Sequence, residues 1–391
     1  MYYVGIDIAK NNHQSSIIDT NGEMVCESLS LSNTIKGFEK LIKYLNSYEV
    51  TPENCIIGME ATGHYWLSIY SYLLELGYQC VVINPIQSEA FRRMEIRRSK
   101  TDIIDSKCIA EVMRFGKYSS SNISDEATYG LRNLSRYRYS LVDECSDWKR
   151  RLISILDQVF PEYSKLFSDV YGVSSKNILS KYPLPEDMLK VSATELGKLL
   201  SKCSNGYFGK DKAEEIQQAA LSSVGIKFAQ KTFSFEIKQI IEKINFLENQ
   251  IKEIEKEMSS MLQEQCPIIT SITGIGDTLG AVIYSEIGDI KRFERPNQLV
   301  AYAGIDSTVN QSGEYKGNQN KMSKRGSPYL RRALWMAATV ASQKDPALSK
   351  YYESLRARGK VHGVAIGAVS RKLCNIIYAV LRDNKEYIPN I

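Results

Sequence analysis

Asp7 stands inside the apolar run Val4-Gly5-Ile6-Asp7-Ile8, where a carboxylate has no helix to cap and is costly to bury unless a cation or a hydrogen-bond donor faces it. Glu60 closes a second apolar run, Cys55 to Met59, at what would be a strand's carboxyl edge, where sites commonly form. Asp102 and Asp105 are three residues apart in a segment of helical spacing, which puts them on one face. Four carboxylates brought to one edge repel one another unless they share divalent ions. Mg2+ (or Mn2+) suits hard oxygen ligands, and two such ions can clamp the attacking and leaving oxygens of a phosphodiester. Blander readings stand beside this one: Asp102, after Lys100-Thr101, as a helix N-cap, and Asp105 as a surface charge. With only three histidines (His13, His64, His362), carboxylates or hydroxyls must carry most of any catalysis.

The hydroxyl to weigh is Ser312, in Gln311-Ser312-Gly313-Glu314. Between residues 316 and 332 stand six basic side chains, Lys316, Lys321, Lys324, Arg325, Arg331 and Arg332, and no acidic one. A serine beside glycine in such a loop can approach a phosphate, yet serine is a poor nucleophile without a base or metal, and chemistry alone reads it as a turn residue. A second basic run, Arg92, Arg93, Arg97, Arg98 and Lys100, precedes the aspartate pair and contains a single acid, Glu95. By default it is a solvated helix face; beside a metal cluster it would hold a nucleic-acid backbone. Thr273-Gly274-Ile275-Gly276, between two apolar helical segments, looks like the turn of a helix-hairpin-helix whose N–H groups at Gly274 and Gly276 hold a phosphate, although Gly-x-Gly turns also join ordinary helices.

Elements able to position these residues follow from periodicity. Tyr2 to Ile8, Gln14 to Asp19 and Met24 to Leu31 read as strands, the last two joined by a tight turn at Asn21-Gly22. Ile35 to Tyr48 has helical spacing, Cys55 to Met59 is a short strand, Tyr65 to Leu76 is helical and Gln79 to Asn84 is a buried strand. Three antiparallel strands followed by β-α-β-α is the order of an α/β RNase H-like fold; a dinucleotide-binding fold would want a Gly-rich turn after the first strand, and Asp7-Ile8-Ala9-Lys10 has none. The middle is helical. From Leu134, the positions Arg138, Leu141, Cys145, Trp148, Leu152, Ile155 and Val159 keep a heptad spacing, as do Ile237, Ile240, Ile244, Leu247, Ile251, Ile254, Met258 and Met261. Such seams need a partner helix, unless each is an amphipathic helix on its own globular core.

Length and composition bound the rest. At 391 residues the chain should hold two or three domains, and 43% hydrophobic with 24% charged residues excludes a mainly disordered protein. The absence of a signal-like N-terminus or an apolar run of about 20 residues argues against a secreted or membrane-spanning chain. The eight scattered cysteines, with no C-x-x-C pair, read as reduced thiols in a cytoplasm. Charge is uneven: residues 266–391 carry 18 basic and 10 acidic side chains, net +8, against net −3 for residues 1–265, which makes the last third the natural face for a polyanion.

Taken together, Gly5-Ile6-Asp7-Ile8-Ala9-Lys10, Met59-Glu60-Ala61-Thr62-Gly63, Val82-Ile83-Asn84-Pro85, Lys100-Thr101-Asp102-Ile103-Ile104-Asp105, Thr273-Gly274-Ile275-Gly276 and Ala303-Gly304 through Gln311-Ser312-Gly313 resemble the DEDD transposases of the "one-ten" insertion-sequence family. The resemblance implies a RuvC-like catalytic domain (1–120), a helical coiled-coil region with an insert (121–265) and a mainly α-helical C-terminal transposase domain (266–391). It implies that Asp7, Glu60, Asp102 and Asp105 bind Mg2+ or Mn2+ and that Ser312 is the nucleophile, with Ser307, Ser323 and Ser327 close by. Partners so implied are double-stranded donor and target DNA, a structured bridge RNA and further copies of the chain, as a dimer or tetramer through the coiled coil, in a bacterial cytoplasm at the nucleoid. Ser106 departs from the alanine usual in the family. Two other classes stay open: a RuvC-like Holliday junction nuclease that hydrolyses without a covalent intermediate, and a non-catalytic nucleic-acid scaffold. A sugar-kinase-type ATPase would need a second phosphate loop of Asp-Gly type, which the sequence lacks.

Overall fold

Alternation builds the first unit, Met1–Ile123. In β1 (Tyr2–Asp7), Val4 and Ile6 turn to one face and are fully buried, while Tyr3, Gly5 and Asp7 turn to the other. With β2 (Asn12–Ile18), β3 (Leu29–Ser32), β4 (Cys55–Glu60) and β5 (Cys80–Ile83) it forms a five-stranded sheet of order β3-β2-β1-β4-β5. The first three strands are antiparallel and β1, β4 and β5 parallel, in agreement with the element order read from the sequence. One difference is the third strand, which starts at Leu29 rather than Met24. Asp19 closes the turn by accepting from the Asn21 and Glu23 N–H groups, and Met24 then makes a single bridge to Ile18. Helices α1 (Ile35–Ser47) and α2 (Trp66–Glu75) bury Phe38, Leu41, Ile69 and Leu73 against the Val4–Ile6 face. The opposite face is covered by α3 (Asp102–Phe115), which Thr101 caps and Gly116 ends in the left-handed conformation, φ 71°.

The computed structural model describes residues 1–61, 63–83, 88–89, 91, 101–116, 125–307 and 321–389, together with the main chain of 311–312 and 315–316. Arg92, Arg93, Arg97, Arg98 and Lys100 lie outside the described residues.

In the second unit, Ser124–Ile391, the two heptad tracts become one long helix each. These are α4 (Glu126–Val159) and, after α5 (Val173–Lys181), α6 (Pro185–Leu189), α7 (Ala193–Cys203) and α8 (Lys210–Leu221), α9 (Gln230–Gln265). The sequence leads one to expect the coiled-coil seam to be filled by a second copy; instead the two tracts fill each other's. Arg138 pairs with Glu255 and Arg151 with Glu236, so the helices run antiparallel, and Arg138, the one break in the first tract, is answered by an acid. The connecting helices make this possible by folding onto the same pair: Leu152 and Ile155, Ile240 and Ile244, and Ile178, Leu196 and Ile216 share one core.

A second core joins the other ends of that hairpin, through Leu131, Tyr139, Met258 and Leu262, to α10 (Asp277–Ile287), α11 (Pro296–Tyr302), α12 (Pro328–Lys344), α13 (Pro346–Ala357) and α14 (His362–Asp383). Packing is therefore continuous across residues 265–266. By length and composition α14 could cross a membrane, but 61% of its most apolar window is buried, which marks it as a core helix. The first of the two helices expected around Thr273–Gly276 is a single 3-10 turn, Pro267–Ser271, because α9 has only just ended at Gln265. All eight cysteines carry free thiols.

Candidate active site

Register brings two of the four carboxylates together. β1 and β4 run parallel with Ile6 opposite Met59, so Asp7 and Glu60 end neighbouring strands side by side. Parity then sets their face. Asp7 shares its side of β1 with Tyr3 and Gly5, and Glu60 shares the same side of β4 with Ile56 and Gly58, the side on which α3 packs. The approach is close: a Cβ on Gly5 would fall 2.0 Å from the Ser106 carbonyl oxygen, and one on Gly58 2.6 Å from Met113 Cγ. Contacts at either end fix the direction of α3. Ser106 Oγ lies 2.7 Å from Ser16 Oγ, and Ser16 stands opposite Gly5, whereas Glu111 and Arg114 reach Gly22 in the turn at the other end of the sheet. The first turn of α3, carrying Asp102 and Asp105, is thus directed toward the carboxyl ends of β1 and β4.

Local chemistry replaces both bland readings of the aspartate pair. The helix cap is Thr101, whose hydroxyl accepts the Ile104 N–H at 3.3 Å, and Asp102 stands exposed in the first turn. Asp105, 6% exposed, is no surface charge. Glu60 has a support that the sequence does not announce: Ser88, fully buried, donates from Oγ to Glu60 Oε2 at 2.8 Å, and its own carbonyl accepts from Cys108 Sγ of α3. No spacing rule links Ser88 to Glu60 28 residues away, so no sequence signal could have found it. The donor set is anionic oxygen throughout, which is what a hard divalent cation takes. Among the described residues no three His, Cys, Asp or Glu side chains converge closely enough to hold an ion.

The hydroxyl and the basic residues belong to the second unit. Ser312 lies in β6 (Gln311–Ser312), paired with Tyr315 of β7 (Tyr315–Lys316). The side chains of Ser312 and Lys316 are outside the described residues. The runs on either side of this segment are tied together: Ser323 N–H donates to Asp306 O at 2.9 Å, Lys324 N–H to Gly304 O at 3.0 Å and Ser327 N–H to Tyr302 O at 2.9 Å. Of the neighbouring serines, Ser323 donates to Asp306 Oδ1, and Ser327 both caps α12 and donates to Glu286 Oε2 at 2.8 Å. Glu286 is wholly buried and held by the Arg136 guanidinium at 2.7 Å, which anchors the start of α12.

Beside that segment opens a cleft of about 820 Å³ lined by Lys321, Lys324, Arg331, Arg332 and Arg371, with no carboxylate among its described lining residues. Arg331 donates from Nη1 to the carbonyls of Ala303 and Gly326, and Arg371 to that of Ile305, so both guanidinium groups are braced. Lys324 holds φ 54°, a left-handed conformation that lysine seldom adopts. Arg332 is answered by both oxygens of Asp143, at 2.9 and 3.0 Å, while Arg325 is exposed. Sequence reasoning missed Arg371, which only the packing of α14 brings to the cleft.

The two glycines of the expected phosphate turn serve different ends. Gly274, at φ 92°, lets the main chain approach α12: a Cβ there would lie 2.6 Å from the Ala337 carbonyl oxygen. Gly276 precedes α10 in open space, and Asp277, in that helix's first turn, accepts from Ser259 Oγ and from Gln263 Nε2 of α9.

Residues 4–161 match a family model described as "Transposase", and residues 266–353 one described as "Transposase IS116/IS110/IS902 family". Among similar proteins, the pilin gene-inverting protein of Moraxella bovis is 24% identical over 390 residues, covering 100% of this chain and 98% of its own. The insertion element IS116 uncharacterized 44.8 kDa protein of Streptomyces clavuligerus is 22% identical over 99% of this chain and 96% of its own. The insertion element IS110 uncharacterized 43.6 kDa protein of Streptomyces coelicolor is 24% identical over 74% of this chain and 72% of its own.

Proposed function

Because the chain belongs to the IS110/IS116/IS902 family of transposases and is a DNA transposase/recombinase, we propose that it cuts and rejoins DNA through a covalent phosphoserine at Ser312, with Asp7, Glu60, Asp102 and Asp105 as the acidic site. The observation that carries the acidic half is the register and parity that put Asp7 and Glu60 side by side, on the face toward which the Asp102–Asp105 turn is directed. Mg2+ or Mn2+ bound by these carboxylates supplies the charge neutralisation that a scissile phosphate needs. Ser88 holds Glu60 in place, and α3, pressed on Gly5, holds the aspartate pair.

The Ser312 Oγ attacks phosphorus; a P–O bond to serine forms and the P–O bond to the 3′ oxygen breaks. The serine proton is lost to solvent, and the departing oxygen takes one up as a free 3′ hydroxyl. The bond energy kept in the phosphoserine lets a second 3′ hydroxyl reverse the step without ATP. Ser327 is set aside by its bonds to the α12 cap and to Glu286, and the choice of Ser312 over Ser307 and Ser323 rests on the family resemblance. Donor and target duplexes are the substrates, and the name of the gene-inverting relative fits a reaction that cuts and rejoins.

A structured bridge RNA is the further partner proposed, on the family resemblance; RNA that co-purifies with the chain and maps beside its gene is the expected finding. The direct test of the chemistry is Ser312→Ala in the full chain. It should abolish the covalent protein–DNA adduct with circular dichroism unchanged, whereas a variant that still cuts DNA would reveal hydrolysis by water, as in a Holliday junction nuclease.

A further inference from the structure

We propose that the basic cleft of the second unit takes one unpaired nucleotide of a nucleic-acid strand, its base stacked on Trp335 and its phosphates on the surrounding cations. This rests on the nucleic-acid part of the function proposed above and names the form of substrate the cleft selects.

Trp335 follows Arg331 by one helical turn on α12, so ring and guanidinium share a face, and both line the cleft. The facing wall is α14, and there two glycines one turn apart, Gly363 and Gly367, stand against the indole. A Cβ on Gly363 would lie 3.9 Å from Trp335 Cη2, and one on Gly367 3.7 Å from Cζ3 and 3.6 Å from Met322 Cε, all ordinary contacts. Neither glycine has a positive φ. Alanine would therefore fit at both positions and would strengthen the helix. What glycine leaves at each position is a gap about one methyl deep along the edge of the indole, so the ring keeps its place at the wall of a cleft of about 820 Å³, within the range that takes a ligand of nucleotide size.

Charge selects the ligand class. Arg331 and Arg371 are braced on main-chain carbonyls, so they meet a phosphate without first being ordered, and Lys321 and Lys324 add to the same field. A duplex offers phosphates on its outside and no open base face. An unpaired nucleotide offers both a ring to stack and a phosphate to pair, the combination by which proteins hold single strands.

The test uses the full chain, with binding followed by anisotropy for three labelled probes: a short oligothymidylate, the matching oligouridylate and a duplex of the same length. Trp335→Ala and Gly367→Leu, the second of which fills the space without removing a charge or the ring, should each weaken a single strand at least roughly five-fold, the low end for one base–aromatic stack. Duplex binding should change little, and Trp335→Phe should retain most of the single-strand affinity. A loss confined to the deoxy or to the ribo probe supports the proposal and names the strand. The idea is overturned if both variants, with helix content intact, bind single strands as the parent does, or if duplex binding falls in parallel. Should no probe bind the parent chain, the cleft proposal fails together with the reading it rests on. The phosphoserine is read separately by the adduct, so either can fail without the other.

Discussion

At the scale of single residues, the candidate acidic site is organised by side chains that are absent or small. Gly5 lets α3 lie on β1; with a Cβ 2.0 Å from the Ser106 carbonyl oxygen, Gly5→Ala must push the helix away. Overpacking of this kind costs about 1–3 kcal/mol, and because the obstacle is main chain the upper end is expected. Denaturant unfolding of the variant should show that loss, accompanied by a fall in DNA cleavage; unchanged stability would mean that α3 does not rest on β1. His13 supplies a pH dependence. It is buried on β2, its ring stacked on Phe38, and its Nδ1 accepts the Ala9 N–H at 3.3 Å. Burial pushes its pKa below the ordinary 6.5, with the Asn33 side chain opposing. As pH falls, the unfolded chain therefore takes up this proton first. The contribution is whole above about 6.5 and is lost progressively from there down toward the lower folded-state value. The parent should accordingly lose stability between pH 7 and 5.5 more steeply than His13→Gln, and equal slopes would remove His13 as the cause.

At the scale of elements, the informative feature is the pairing of α4 with α9. Ile244 is fully buried in the core these helices share with the connecting ones. Ile244→Ala should cost about 2–5 kcal/mol in urea unfolding, as other large-to-small core changes do. Since the seam closes within one chain, the molar mass measured by light scattering should not change. A variant that kept its stability but lost mass would instead place the seam between chains. The same pairing explains why Arg138 tolerates a heptad core position: Glu255 sits 2.6 Å away on the partner helix.

At the scale of the whole molecule, charge is distributed by function. Net +8 falls in residues 266–391, and the cleft gathers part of it on α12 and α14. Each phosphate contact releases counterions, so binding should weaken linearly in log salt with a slope of about 0.9 per contact for duplex DNA or 0.7 for a single strand. Replacing Lys324 and Arg331 together by Ala should reduce the slope for single strands by roughly 1.4. Arg332→Ala should alter it less, because Asp143 already balances that charge. A slope unmoved by the double variant would place the phosphates elsewhere.

Much of this was legible along the chain. The alternation of Val4 and Ile6 with Gly5 and Asp7, the apolar run ending at Glu60, the heptads and the basic last third are properties of near neighbours, and periodicity reports such properties directly. What the tertiary structure decided were the partners: which helix fills the heptad seam, that Ser88 holds Glu60, that Thr101 and not Asp102 caps α3, that Gly274 packs against α12, and that Arg371 and two glycines of α14 complete the cleft. Apart from the cap, a competition between adjacent side chains for one N–H group, these contacts join residues from 28 to more than a hundred positions apart. Burial and close approach select them, and no local pattern of residue types encodes such a choice.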